Sequence, residues 1–237
     1  MFEGQIDVRS YGELIEKLYN VSLRGNPNIK PYKDSLITIE ELHPNILAPT
    51  QRYVLKSEIR KIEQLRWSIL EEYGQDILRL NGYLKVTYPA HTNHELIPGI
   101  GYDEPSISVE KEIPEKTIDI LPIVVEEYID FCGYIHYLLC DGQHRAFLAH
   151  KMQMPIRAAL VRGINKNYPY YAFPLPEKWN NVEMIDVIPK DYVKKFHVAK
   201  DHKFLYRNFN SVFSNVGDSR PYGVTNDQYS SRGLPLV

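Results

Sequence analysis

Apolar residues recur at helical spacing in two parts of the chain. Ser10 and Glu13 have the spacing of a capping box, and the apolar residues Leu14, Ile15 and Leu18 follow, which predicts a short amphipathic helix. A longer stripe predicts a second helix that ends at Gly74, and its members are Leu55, Ile59, Ile62, Leu65 and Ile69. We interpret this stripe as core, because its period matches one buried helix face.

Short runs rich in β-branched and aromatic residues predict strands. These runs lie at residues 35–39, 83–88, 119–125, 134–140 and 155–161. The third and fourth are expected to pair across a turn at Gly133, and a helix from 142 to about 152 is predicted between the fourth and fifth. A further short helix is predicted at 190–196.

The segment 89–116 is rich in Pro, Gly, His and acidic residues without periodicity, which is typical of an insertion or a long loop. Within it, His91, His94 and Glu95 suggest metal ligands, but the second His of a zinc-protease helix is absent, so we do not expect a metal here. We interpret His197 and His202, on a Lys-rich segment, as surface residues.

Composition excludes few function classes. The 237 residues carry a net charge of −2, so no overall positive field attracts nucleic acid. The only cysteines are Cys132 and Cys140, which suggests reduced thiols in a cytoplasmic protein. No secretory segment opens the sequence and no apolar run approaches membrane-spanning length, so no membrane partner is expected.

The most informative motif is Asp141-Gly142-Gln143-His144-Arg145, here called the 141–145 motif, because it joins a predicted strand to a predicted helix. A glycine at such a turn lets backbone approach a ligand, and the helix amides that follow favour an anion. His and Arg side chains add donors that suit phosphate. The plain alternative is an ordinary turn, with Asp141 as a helix cap and His144-Arg145 as a solvated face.

The order of elements resembles the ParB/sulfiredoxin-like domain over about residues 36–163. The resemblance rests on the 37–45 run, Gln51-Arg52, the 65–74 run, the Pro-Ile-Val-Val strand from 122, the 141–145 motif and the 155–161 strand. It implies an α+β fold, with a mixed sheet and flanking helices. The implied organisation is an N-terminal helical extension at 1–35, a core domain at 36–163 interrupted by an insertion at 75–116, and a C-terminal extension at 164–237 that packs on the core.

Departures from the resemblance separate the branches of this superfamily. Sulfiredoxins place a catalytic Cys where this chain has Gln143, so their chemistry is not expected here. The region after 165 is too rich in Pro and Tyr for the helical DNA-reading domain of partition proteins. The 141–145 motif is most similar to the Asp-Gly-x-His-Arg pattern of free serine kinases. Ile46, however, occupies the position where those kinases have a Glu that helps deprotonate the substrate.

The resemblance implies a nucleotide-dependent phosphotransferase acting on a small hydroxylated or amino-bearing metabolite. ATP or ADP is the expected nucleotide, with CTP as an alternative, and Mg²⁺ the expected ion. Gly142, Gln143, His144 and Arg145 would bind the phosphates, with Gln51 and Arg52 reaching the same pocket. Asp141 and His144 are the catalytic candidates, and Asp141 is also the metal candidate. Gln51 as a loop donor and Arg52 as a surface ion pair are equally simple interpretations.

A second hypothesis is a nucleotide-responsive, DNA-binding regulator of ParB type without catalysis. A local basic stripe with Tyr192 and Phe196 could contact nucleic acid, although such a stripe is more often a solvated helix face; its members are Lys190, Lys194, Lys195, Lys200 and Lys203. Composition makes nucleic acid the less favoured partner. A nuclease is the third hypothesis, and no metal-carboxylate cluster in the sequence supports it.

Overall fold

The computed structural model describes residues 4–97, 107–170, 174–190, 192–195 and 200–216. Its α-helices are α1 (Tyr11–Tyr19), α2 (Lys56–Tyr73) and α3 (Gln143–Lys151). The predicted capping box begins α1, because the Ser10 side chain accepts a hydrogen bond from the Glu13 amide. Gly74 ends α2 in the left-handed conformation at φ +65°. All three helices agree with the sequence prediction.

The strands in chain order are β1 (Gln5–Arg9), β2 (Ser22–Leu23), β3 (Leu36–Leu42), β4 (Leu47–Ala48), β5 (Tyr53–Leu55), β6 (Tyr83–Tyr88), β7 (His91–Ile97), β8 (Ile107–Ile113), β9 (Lys116–Ile120), β10 (Ile123–Ile129), β11 (Ile135–Asp141), β12 (Ile156–Arg162), β13 (Glu183–Ile185) and β14 (Arg207–Asn208). The fold is α+β, as predicted.

A five-stranded mixed sheet forms the centre, in the order β3-β12-β10-β11-β4. β10 and β11 form the predicted antiparallel hairpin, and Gly133 at its turn has φ +86°. α3 then crosses over, so that β12 pairs parallel to β10. Phe147 of α3 packs in the same buried cluster as Val125 and Leu139 of the hairpin. The 141–145 motif therefore lies where the hairpin ends and this helix begins.

A second sheet, in the order β1-β6-β9, holds the N-terminal segment against the core. β1 was not predicted. The predicted strand at 119–125 is in fact two strands, because the chain leaves β9 at Ile120 and enters β10 at Ile123, after Leu121-Pro122. Of the two interpretations of 89–116, an insertion or a long loop, the long loop was wrong, because β7 and β8 pair as antiparallel strands within this segment. The first five residues of β7 are all polar, so no alternation of apolar and polar residues predicted this strand.

The C-terminal extension contacts the core through the short strand pair β13 with β5, and the N-terminal extension through β14 with β2. Arg207 in β14 also forms an ion pair with Glu126 of β10, at 2.7 Å between Nε and Oε1. The helix predicted at 190–196 is absent from 190 and 192–195, the part of it that the structure describes. Across the described ranges, no helix combines the length and apolarity needed to cross a membrane.

Candidate functional site

Gly142 makes the turn between β11 and α3. Its φ of +83° lies in the left-handed region, and a Cβ added there would lie 3.0 Å from both the Arg145 Nη2 and the Ile123 Cγ1 atoms. The first backbone hydrogen bond of α3 is donated by the Ala146 amide to the Gly142 carbonyl, at 2.9 Å. The amides of residues 143–145 precede that bond and so have no partner within the helix. This is the backbone geometry that favours an anion.

Arg145 is part of the wall of this turn. Its guanidinium donates to the Leu121 carbonyl and, at 3.2 Å, to the Asp141 carboxylate. The side chain is only 11 % exposed, and this burial lowers the pKa of Arg145. Guanidinium carries more N–H donors than these two bonds use, so Arg145 can still contribute positive charge to a bound phosphate. It is not the solvated cation that the plain interpretation of the motif expects.

Gln143 was predicted to bind phosphate, but its side chain holds a loop. The residue is 3 % exposed, and its Oε1 accepts hydrogen bonds from the amides of Thr50 at 3.2 Å and Gln51 at 2.9 Å. Its Nε2 donates to the Gln51 carbonyl at 2.6 Å. The Gln143 side chain thus fixes residues 50 and 51 beside the start of α3, and only its backbone amide is oriented for an anion.

Gln51 and Arg52 differ in their surroundings. The Gln51 Oε1 atom is buried and has no hydrogen-bond partner among the described residues. The Arg52 guanidinium lies 5.0 Å from the centre of the Tyr192 ring, and the Arg52 amide donates to the Lys194 carbonyl at 3.0 Å. The structure therefore places Gln51 beside α3 through Gln143, whereas Arg52 stacks on the C-terminal extension.

His144 is held in one tautomer. Its Nε2 accepts a hydrogen bond from the Leu55 amide at 3.2 Å, so in this arrangement Nε2 carries no proton and the ring proton of the neutral imidazole sits on Nδ1. Protonation of Nε2 would break the bond to Leu55. His144 in this state is a neutral donor through Nδ1 rather than a cation or a base acting through Nε2.

Asp141 is the predicted metal ligand, and its surroundings bear on that role. Its Oδ2 is paired with Arg145, and the described residues contain no group of three His, Cys, Asp or Glu side chains that could hold a metal ion. The site thus offers one carboxylate, already partly neutralised. Mg²⁺ would fit only as an ion brought in by nucleotide phosphates, which need few protein ligands.

The metal site considered for His91, His94 and Glu95 does not have the backbone conformation of a zinc-protease motif. The backbone of residues 91, 94 and 95 lies in strand β7, not in the helix that the zinc-protease motif requires. The side chains of these three residues, and that of His202, are not among those described. His197 lies outside the described residues.

Ile46 lies where the resemblance to serine kinases would place a Glu. It ends the short 3-10 turn Pro44–Ile46, and 42 % of its surface is exposed. Nearby, the Asn45 side chain hydrogen-bonds to His150, which stacks on Trp179 with ring centres 5.2 Å apart. Ile46 itself supplies no group that could accept a proton.

Lys195 is a candidate functional residue that sequence reasoning placed in the basic stripe. Its amine donates to the Tyr170 hydroxyl and lies about equally far from the Tyr170 and Tyr206 ring centres, at 5.0 and 4.9 Å. Burial lowers the pKa of Lys195 to about 8, although the nearby Cys140 and Asp141 oppose this effect. Lys195 is therefore not on a solvated helix face. The abundance of Tyr in the extension was the one sequence signal for this environment.

Comparison with known proteins supports one part of the resemblance. A family model described as the ParB CE domain matches residues 13–112 and 106–183, which together span more than half of the chain. The chain belongs to the ParB CE domain family. No match was found among curated proteins or among solved structures. The ParB CE match includes the 141–145 motif, Gln51 and Arg52 but ends before Lys195, and it does not distinguish the kinase branch.

Proposed function

We propose that this ParB CE protein is a nucleotide-dependent phosphotransferase that uses ATP or ADP, with CTP as the alternative, and acts on a small metabolite with a hydroxyl or amino group. The observation that supports this proposal best is the left-handed Gly142 turn, which opens directly onto the N-terminus of α3. Such a terminus concentrates amide donors and the positive end of the helix dipole.

The roles of the site residues follow from their contacts. The amides of residues 143–145 would bind phosphate oxygens, and Arg145, which points across the turn, would add charge as the phosphoryl group moves. His144 would donate from Nδ1, the nitrogen that its bond to Leu55 leaves protonated. Asp141 would accept the proton of the acceptor group or contact Mg²⁺. When bound, Mg²⁺ would neutralise phosphate charge.

A second candidate, the nucleotide-responsive regulator without catalysis, has its own support. The family match is to a ParB domain, and the position of the expected kinase Glu holds exposed Ile46. Both candidates use the same phosphate site, so nucleotide binding alone does not separate them.

A pair of glycine variants tests the phosphate site. Gly142 and Gly133 have nearly equal positive φ values, 83° and 86°, but an added Cβ meets nothing within 4 Å at Gly133. Gly142→Ala and Gly133→Ala should therefore both lose about 1 kcal/mol or more of stability through backbone strain. Only Gly142→Ala should lose the rise in Tm that ATP, ADP or CTP with Mg²⁺ gives the wild type. Equal nucleotide shifts in both variants, or no shift in the wild type, would rule the site out.

Turnover then separates the two candidates. Phosphorus NMR of wild-type protein with ATP or ADP and a set of hydroxylated and amino metabolites should show a new phosphorylated product, absent with Gly142→Ala. Nucleotide binding without product, together with DNA affinity that falls steeply as salt is added, would instead support the regulator.

A further inference from the structure

Lys195 is a partly buried cation that has no carboxylate within 4 Å among the described residues. The well-buried cations of the described chain, by contrast, each have such a carboxylate, as in the Arg207–Glu126, Arg66–Asp76, Lys61–Glu58 and Arg145–Asp141 pairs. Among the described residues, the Lys195 amine bonds only to the neutral Tyr170 hydroxyl. The tyrosine rings, at 5.0 and 4.9 Å, and the Tyr170 hydroxyl offset only part of the cost of taking this cation out of water, and an anion would offset more of it.

The Gln51 side chain has a buried acceptor atom that lacks a donor among the described residues. Its backbone is bound on both sides to Gln143, so the loop cannot shift freely to satisfy the side chain. The buried Oε1 atom nevertheless accepts no hydrogen bond from the part of the chain that the structure describes. An unsatisfied buried acceptor costs free energy unless a ligand or water donates to it.

Gln51 and Lys195 lie in two segments that are hydrogen-bonded to each other. Residues 50–52 are fixed to α3 by Gln143 on one side, and the Arg52 amide is bound to the Lys194 carbonyl on the other. Lys195 thus follows directly after the residue that pairs with this loop. Asp141, the first residue of the 141–145 motif, is near enough to raise the pKa of Lys195 and so oppose the effect of burial. Gln51 Oε1 and the Lys195 amine therefore both lie near the proposed phosphate site.

We propose that Lys195 and Gln51 form an oxyanion subsite of this phosphate site. The Lys195 amine binds a phosphate or carboxylate oxygen, and Gln51 Oε1 accepts a hydrogen bond from a hydroxyl or amino group of the same ligand. The subsite rests on the proposed function for its place in catalysis, because the oxyanion belongs either to the nucleotide or to the acceptor. An acidic acceptor that carries a hydroxyl or amino group meets both requirements.

Two lysine variants test the subsite. Lys195→Met keeps an unbranched apolar chain that packs on the tyrosine rings and removes the charge. Lys194→Met is the matched control, since Lys194 is the exposed neighbour with the same change of net charge. Thermal shifts are measured with inorganic phosphate and with glycolate, a small hydroxy acid. We expect at least one of them to raise the Tm of wild type and Lys194→Met equally, and to raise that of Lys195→Met less or not at all.

The anion that raises the Tm shows which ligand the subsite binds. A Tm shift with phosphate alone points to a nucleotide phosphate, and a Tm shift with glycolate points to the acceptor. NMR titration of labelled lysine side chains should show the Lys195 pKa rising when that anion is bound. A Lys195→Met protein that keeps the full shift, or a wild type that responds to neither anion, would overturn the subsite. Loss of nucleotide binding in Gly142→Ala with an unchanged response in Lys195→Met would overturn it while leaving the proposed function in place.

Discussion

Buried Glu126 and partly buried Lys195 both lie on or beside the β10–β11 hairpin, but their surroundings differ. Glu126 accepts two bonds from Arg207, at 2.7 and 2.9 Å, and a third from Tyr32 at 2.7 Å. Arg207 in turn donates to the Leu205 and Tyr168 carbonyls. Lys195 has one neutral partner. The Glu126 carboxylate therefore has its cation within the chain, whereas the Lys195 amine has no carboxylate within 4 Å among the described residues.

The largest expected loss of stability comes from breaking the cluster of Glu126, Arg207 and Tyr32. Arg207→Ala would leave the Glu126 carboxylate buried without a cation, since the two side chains are 0 and 3 % exposed. We expect a loss of about 3–5 kcal/mol in the free energy of unfolding, measured by urea denaturation. Arg79→Ala serves as the control, because its pair with Glu41 is exposed and should contribute less than about 1 kcal/mol. Similar losses of unfolding free energy in both variants would show that the buried Arg207–Glu126 pair contributes no more than the exposed Arg79–Glu41 pair.

Gln143→Leu tests the loop that joins the two regions. The change removes the acceptor of two amides and the donor to one carbonyl at residues 50 and 51. We expect a loss of about 1–3 kcal/mol. Hydrogen exchange should accelerate at the Thr50 and Gln51 amides more than at Ala146, whose bond within α3 is unchanged. Uniform acceleration across all three amides would show that Gln143 supports the whole fold rather than this loop.

The lowered pKa of Lys195 should make the stability of the protein depend on pH. The pKa of Lys195 is about 8 in the folded protein and close to 10.5 when unfolded, so below pH 8 the folded state bears the full cost of burying the charge. As pH rises from 8 towards 10.5, the folded state loses the proton first and stability increases. Relative to Lys195→Met, the wild type should gain about 1 kcal/mol between pH 7 and 9. A constant difference across these pH values, measured by urea denaturation, would contradict the burial of the amine.

The smallest effect is expected from the β7–β8 hairpin. Thr87 pairs with Thr117 and Tyr88 with Lys116 at the base of this hairpin, so an Asn-Gly turn could join β6 directly to β9. Replacement of residues 89–115 by that turn should change the free energy of unfolding by less than about 1 kcal/mol, because short loops lose little closure entropy. Nucleotide shifts in Tm should persist. A large loss of unfolding free energy would mean that the hairpin supports the core, and loss of the nucleotide shifts would mean that it supports the site.

Local features of the fold could be predicted from sequence, since they depend on neighbouring residues. The capping box at Ser10, the end of α2 at Gly74 and the turn at Gly142 each require one residue type at one backbone conformation. The division between β9 and β10 was not predicted, because Leu121-Pro122 lies inside a continuous apolar run and only pairing with different sheets separates the strands.

The site divides in the same way. Gly142 and the start of α3 were predicted from adjacent residues, whereas the roles of Gln143 and Lys195 depend on residues far away in sequence. Gln143 binds a loop more than 90 positions earlier, and Lys195 is enclosed by Tyr170 and Tyr206. Spacing along the chain contains no signal for such contacts, so the charge of Lys195 was assigned to a solvated stripe.

The late position of Lys195 also affects how the protein is made. The hairpin, α3 and β12 are consecutive, so the Gly142 turn can form as soon as residue 162 has left the ribosome. Lys195 emerges about 30 residues later, a delay of a few seconds at about 5–20 residues per second. During that interval the nascent chain would have the proposed amide site without the second cation proposed for it. Ribosome-bound chains stopped before and after residue 195 would therefore differ in their affinity for anions.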